Sequence, residues 1–292
     1  MLIRRITFLA ALLLIAAFAA FSQQIGGGGG FGVSGGMSSS VAGGGMSGGS
    51  SGNCDNTSCT MRFSFSGSGG GVMQMAAVTG APYSGRQSSE NVRTLPNGTH
   101  ITNPSAMSGM TYRDSQGRVR TERPMFPAPA GRKAPIDVTV IQIQDPVAGF
   151  LYVLDTVNHV AHRMPVQARP LPVPAINGTP PPSPAGYTSA SESLGTQVMF
   201  GVVLTGRKTT STTPAGSPMG NDQPLTTISE NWTDPRTNVL VFRKSTSPNG
   251  DSTMTMQNYS NTEPDPALFQ IPAGYQVADE NGTFTMVFPL SK

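Results

Sequence analysis

Charge is scarce in this chain. Asp, Glu, Lys and Arg make up 12% of its residues, about half the share of an ordinary soluble domain. Gly, Ser, Thr, Asn and Pro take their place, a turn-rich profile that suits β proteins and argues against a helical enzyme. No run of Lys and Arg is present that would neutralise a row of phosphates, so nucleic acid is not expected as a partner. Cysteine is limited to Cys54 and Cys59, in Cys-Asp-Asn-Thr-Ser-Cys. A single pair is two ligands short of a structural zinc site, and the spacing is not that of a redox dithiol. A small-loop disulfide remains as the expected state.

Histidine is nearly as sparse, with three residues. His159 and His162 are three apart, which places them on opposite faces of a strand, so no metal is expected between them. His100, beside a turn, reads as solvated. Ser and Asp abound, yet no glycine-flanked nucleophile turn joins a strand to a helix, and no catalytic residue or cofactor is assigned. The glycine run Gly26–Gly30 follows no predicted strand, so it does not read as a phosphate loop. Helix signals are few, apart from a single turn at Pro264–Phe269.

The N-terminus is rich in information by contrast. Arg4 and Arg5 precede an apolar run from Ile6 to Phe21, and Ala20-Phe21-Ser22 offers small residues for cleavage after Ser22. Residues 1–22 are expected to be a signal peptide, too short and too polar at its exit to span a membrane. Neither cysteine stands directly after the run, as a lipidated one would. An exported protein is expected, periplasmic or on the cell surface, with no transmembrane span after cleavage. Removing 22 of 292 residues leaves 270, and losing Arg4 and Arg5 takes the formal charge from +3 to +1.

Residues 23–72, rich in Gly and Ser, read as a flexible leader carrying Cys54 and Cys59. The folded domain is expected over 73–292, as successive hairpins joined by short turns and paired antiparallel. Pro96-Asn97-Gly98 and Ser115-Gln116-Gly117 mark two hairpin turns. Ile136–Gln144 turns through Asp145–Gly149 into Phe150–Leu154, whose almost wholly apolar character predicts a strand covered on both faces. Residues 165–193 are expected as a proline-rich loop, with docking to an aromatic groove as the alternative. Val198–Thr205 alternates as one strand. Leu225–Thr233, Val239–Phe242 and Thr253–Tyr259 continue the sheet. Arg118 and Arg120 share a face that reads as solvated. Six Asn-x-Ser/Thr sequons, Asn231 among them, read as turns.

Two groups of residues stand out as a binding surface. Phe150, Tyr152, Leu154, Phe200, Val202 and Phe242 are the candidates for a ligand-facing apolar surface. Asn221, Asp222, Glu230 and Trp232 form a polar patch in which an acid beside the only tryptophan would suit a cation or sugar. Turn-making is the plainer role for Asn221 and Asp222, and a sheet-edge position the plainer role for Trp232.

Tyr112–Arg118, Asp145-Pro146 with Tyr152–Asp155, Pro214–Gly216 with Gly220–Asp222, and Glu263–Tyr275 together resemble a group of uncharacterised bacterial exported β-rich proteins, over roughly residues 85–280. Leu268-Phe269, Ile271-Pro272 and Gly274-Tyr275 are also similar to the ends of LolA-like lipoprotein carrier domains. That resemblance implies a strongly curved antiparallel sheet wrapped around a hydrophobic cavity. The expected fold is therefore mostly β, a strongly curved antiparallel sheet or half-barrel with few or no helices. The expected role is a non-catalytic envelope protein binding a lipid, a lipoprotein-like ligand or an envelope protein segment. A structural or adhesive surface protein with a closed core is the alternative, and a hydrolase a third reading.

Overall fold

The computed structural model describes residues 31–35, 46–55, 57–67, 73–104, 108–125, 137–170, 186–218 and 220–290. The expected signal peptide, residues 1–22, lies outside them. The described chain is β throughout, with one short 3-10 helix at Pro266–Phe269, where the single helical turn is expected.

The strands fall into two sheets. The small one runs β1 (Phe31–Gly35), β2 (Met46–Cys54), β3 (Ser58–Gly67) and β18 (Thr283–Pro289), all antiparallel. The large one begins at β12 (Thr188–Met199) and continues through β13 (Val202–Thr213), β14 (Leu225–Asp234), β15 (Val239–Ser247) and β16 (Gly250–Ser260). It passes on to β5 (Tyr83–Thr94), β7 (Gly109–Arg113), β8 (Val119–Pro124), β9 (Thr139–Asp145), β10 (Phe150–Asp155), β11 (Val160–Pro170) and β17 (Gln276–Asp279). β6 (His100–Pro104) adds to β5, and β4 (Met73–Ala77) adds to β11. Pairing is antiparallel except where β4 and β17 join β11 in parallel.

This large sheet stays open, neither closed nor curled. The resemblance to carrier domains implied a wrapped sheet, and that expectation is corrected. One end is covered on both sides by separate layers, which removes the need for the sheet to wrap a core of its own.

On one side the small sheet covers β9–β11. In β3 and β18 every second residue is buried: Cys59, Met61, Phe63 and Phe65, then Phe284, Met286 and Phe288. They meet Met73, Met75, Val140, Leu151, Val153, Met164 and Val166 of the large sheet. The rings of Phe63 and Phe284 stack at 5.0 Å. On the other side the 3-10 segment lays Phe269 against Ile143, Leu154 and Ala161. β10 therefore has Leu151 and Val153 in one layer and Leu154 in the other, as its apolar run predicts.

The leader boundary also needs correction. β2 (Met46–Cys54) and β3 (Ser58–Gly67) are strands within the fold, and the domain does not begin at Met73. The period-two set Cys59, Met61, Phe63, Phe65 supplies the apolar face that the surrounding Gly and Ser conceal. Cys54 and Cys59 form the expected disulfide, closing the β2–β3 hairpin. Asp55 caps the turn, its Oδ1 accepting from the amides of Thr57 and Ser58 at 2.7 and 2.8 Å.

Three further expectations shift. The span expected as a proline-rich loop is strand at both ends, because β11 runs on to Pro170 and β12 starts at Thr188; residues 171–185 between them lie outside the described residues. Ser and Thr look loop-like, yet those of β12 pair with an equally hydroxylated β13. The strand expected over Val198–Thr205 is instead a hairpin. Phe200 and Gly201 take φ of 54° and 77°, a two-residue turn of the kind that matches strand twist. Alternation carried through the turn and hid it. Arg120, expected on a solvated face, is buried: its Nη1 donates to the Leu268 carbonyl at 2.9 Å and its Nε to Glu122 at 2.7 Å. The Arg118 guanidinium lies over the Phe269 ring. Both arginines clamp the 3-10 segment.

Candidate functional site

The six apolar residues expected to line one surface are dispersed. Leu154 is buried beneath the 3-10 segment, and Tyr152 packs at the rim of the same cluster. Phe150 sits against Tyr152 at 5.9 Å, with the Arg163 guanidinium over its ring at 4.7 Å. Val202 and Phe242 belong to a second cluster around Leu204, Trp232 and Val241. Phe200 is at the exposed tip of the β12–β13 hairpin. No shared surface joins the two sets.

The polar patch separates likewise. Asn221 is a loop lock: its Nδ2 donates to the carbonyls of Pro214 (2.8 Å) and Gln223 (2.7 Å), and its Oδ1 accepts from Ser217. Asp222 is exposed on that loop. Trp232 is a core residue. Its ring fills the space beside Gly206, where an added Cβ would stand 2.7 Å from Cζ3 and Cη2. Glu230 belongs to a row that crosses the sheet in register: Glu192, Lys208, Glu230, Lys244, Thr253, Glu90. Charges alternate across the first four positions. Lys208 Nζ reaches Glu192 at 2.9 Å. That hydrogen bond and charge, with a smaller part from Glu230, hold the lysine above its ordinary pKa. Opposite charges on neighbouring strands support pairing, so Glu230 serves the sheet.

Alternation sends the next positions to the opposite face. There the register reads Ser191, Thr209, Ser229, Ser245, Ser252, and then Ser193, Arg207, Asn231, Arg243, Met254. Asn231, which lies in the expected strand Leu225–Thr233 and also in a sequon read as a turn, stands within β14. Among the described residues of β12–β16, every carboxylate (Glu192, Glu230, Asp234, Asp251) lies on the charge-ladder face by register. Both arginines lie on the other. An open cavity of about 730 Å³ occupies this second face. Ser191, Ser193, Thr205, Arg207, Asn231, Thr233, Leu240 and Arg243 line it, together with Asn238 at the β14–β15 turn and the edge of Glu192 and Gly206. It adjoins β12, whose outer edge has no paired strand among the described residues.

No family model and no curated protein matches this chain.

The described residues contain no cluster of three His, Cys, Asp or Glu able to hold a metal, and no helix long and apolar enough to cross a membrane. His162 Nδ1 lies 2.7 Å from Glu280 Oε1, and its ring stacks on Phe284 at 4.2 Å. A buried network links Asp234 Oδ2 to the Tyr259 hydroxyl and Asn261 Nδ2, both at 2.9 Å, with the Thr237 hydroxyl 2.7 Å from Tyr259. Burial is the main cause that pushes the Tyr259 phenol well above its ordinary pKa. Arg113 ties this network to the segment preceding β5 by donating to the carbonyls of Thr237 and Ala81.

Arg207, Asn231 and Arg243 were not singled out in the sequence. Each is an isolated polar residue in its own strand, and only the cross-strand register unites them.

Proposed function

We propose that this chain is an exported, non-catalytic envelope protein that holds an amphiphilic ligand or an extended protein segment on the β12–β15 end of its large sheet. The observation that carries the reading is the open cavity on the face opposite the charge ladder, bordered by β12, which has no outer partner strand among the described residues. Hydroxyl and amide side chains, Arg207, Arg243 and Glu192 line the cavity, with Leu240 beside them for an apolar part. β12 offers main-chain donors and acceptors along twelve residues with one charged side chain, Glu192. Edge strands lacking Lys and Pro invite strand addition, a common mode of peptide recognition.

Native mass spectrometry of the mature protein, released gently from cells expressing the full chain with its N-terminal segment, tests the reading. A reproducible added mass that dissociates as a lipid or a peptide supports it. A clean apo mass overturns it in favour of a structural or adhesive surface protein.

A further inference from the structure

We infer that the tip of the β12–β13 hairpin, Val198–Val203, inserts into the surface of a lipid bilayer.

Exposure singles the tip out. Val198 is 66% exposed, Phe200 47% and Val203 54%, three large apolar side chains within six consecutive positions. No residue from Val198 to Val203 has a polar side chain. Val198 and Val203 are cross-strand partners and so share a face, with Phe200 in the turn beyond them. Met199 and Val202, the next pair, pack against the cluster around Leu204 and Trp232, which roots the tip in the core. Pairing of β13 with β14 stops at Thr205 and Thr233, so the tip projects past its neighbouring strand.

The backbone is the second observation. Phe200 takes a φ of 54° ahead of Gly201 at 77°. The first position of such a turn favours Asn, Asp or Gly, because a bulky side chain at positive φ is strained. Asparagine would serve the hairpin better, so the strained aromatic is the mark of a task performed by its ring.

The distribution of polarity identifies the medium. Behind the tip come Thr196, Gln197 and Thr205, and the first charged residues on the two strands are Glu192 and Arg207. A docking patch for a protein is one apolar face inside a polar rim. Here apolar side chains occupy the turn and both faces, so only immersion covers them. Apolar groups, then hydroxyls and an amide, then charge is the sequence of environments across a bilayer surface. Two strand steps separate Val198 from Phe200, about 7 Å, within the depth of about 5–10 Å that interfacial segments reach. The outer edge of β12 has no paired strand among the described residues. Hydrocarbon does not tolerate an open strand edge, so the tip enters the surface without spanning it.

The test is flotation of the protein, released from cells expressing the full chain, with phosphatidylcholine vesicles with and without phosphatidylglycerol. The wild type is expected to float. Phe200→Asn should weaken partitioning about tenfold or more, the transfer of one phenyl group. Its Tm should hold or rise, because asparagine accepts the positive φ of the turn. Val198→Thr with Val203→Thr keeps the β-branched shape and should also weaken partitioning. Val157→Thr, at a valine 46% exposed in the β10–β11 turn, should leave it unchanged. In Phe200→Trp, vesicles should shift the emission to shorter wavelength, and lipids brominated on the acyl chain should quench it.

No flotation with either lipid composition, equal flotation of Phe200→Asn and Val157→Thr, or Phe200→Trp emission that vesicles leave unchanged overturns the assignment. A concentration-dependent dimer that Phe200→Asn abolishes, without flotation, gives the tip to a second copy and overturns it as well. The inference does not rest on the ligand role proposed above. A ligand that copurifies with a protein unable to float keeps that role and removes the bilayer. Flotation by a protein isolated free of lipid and peptide keeps the bilayer and removes that role.

Discussion

Gly206→Ala is the sharpest probe of the packing between β13 and β14. The added Cβ would stand 2.7 Å from Cζ3 and Cη2 of Trp232 and 2.9 Å from Cβ of Leu194. Contacts this short require the ring to move. Trp232 is 9% exposed and packs with Leu204 and Val241, both fully buried, so displacement disturbs a filled cluster. Overpacking of this kind costs about 1–3 kcal/mol, against which the lower unfolded-state entropy of alanine returns about 0.4–1 kcal/mol. A net loss of about 1–2 kcal/mol is expected, with a fall in Tm of several degrees for a domain of this size. Trp232 is the chain's only tryptophan, so its fluorescence reports this site alone, and its emission should shift to longer wavelength. A double-mutant cycle with Trp232→Phe, followed by circular dichroism, isolates the clash: without the distal ring, Gly206→Ala should cost less. An unchanged Tm with unchanged emission, or an equal cost in both backgrounds, refutes the reasoning.

Tyr259→Phe leaves the buried Asp234 with one hydrogen-bond donor fewer and should cost about 1–3 kcal/mol in urea unfolding at neutral pH. Burial raises the folded-state pKa of Tyr259 and of Tyr83; their stabilisation is complete below the ordinary phenol value of 10.0 and is lost as pH climbs through the raised values. Unfolding midpoints should therefore fall above about pH 10, and less steeply in Tyr259→Phe; a flat alkaline profile would count against the network. At the acid end, hydrogen bonds from Thr57 and Ser58 lower the Asp55 pKa, so its contribution is present above 3.8 and lost as pH falls through the folded value. Asp55→Asn should flatten that acid slope. Reducing Cys54–Cys59 opens a loop of sequence separation 5, worth about 2 kcal/mol on the chain-entropy scale, and the Tm measured with and without reductant checks it. Arg120→Ala removes the tie to the Leu268 carbonyl, and hydrogen exchange of 266–270 should accelerate while that of β13 does not.

Local signals in the sequence were readable where the physics was local. Asn97-Gly98 and Asp234–Thr237 mark real turns, the apolar run at Phe150 marks a strand buried on both sides, and Pro264–Phe269 contains the one helical turn. Errors arose where a distant partner decides the outcome. Phe63 and Phe65 look like ornaments on a glycine tract until β18 arrives from the far end of the chain to stack against them. Val198–Thr205 alternates like one strand, although Phe200 accepts a positive φ to make a hairpin. Trp232 and Glu230 were rightly placed on one strand face, but the gap at Gly206 and the lysines of β13 and β15 make them core and ladder. The arginine row needed the register of three strands, which no single segment of sequence encodes.

The pairing of β3 with β18 also governs when the molecule can be finished. Gly67 ends β3 and Thr283 begins β18, 216 residues later. A chain delivered N-terminus first, from a ribosome or through a narrow channel, presents the β2–β3 hairpin early. Its row of Cys59, Met61, Phe63 and Phe65 then waits for almost the whole polypeptide before its neighbour exists. Contacts so remote in sequence form slowly, and an apolar strand edge is exposed to other chains meanwhile. Loss of β18 would thus act far from the cut, leaving the β2–β3 hairpin permanently without its seam.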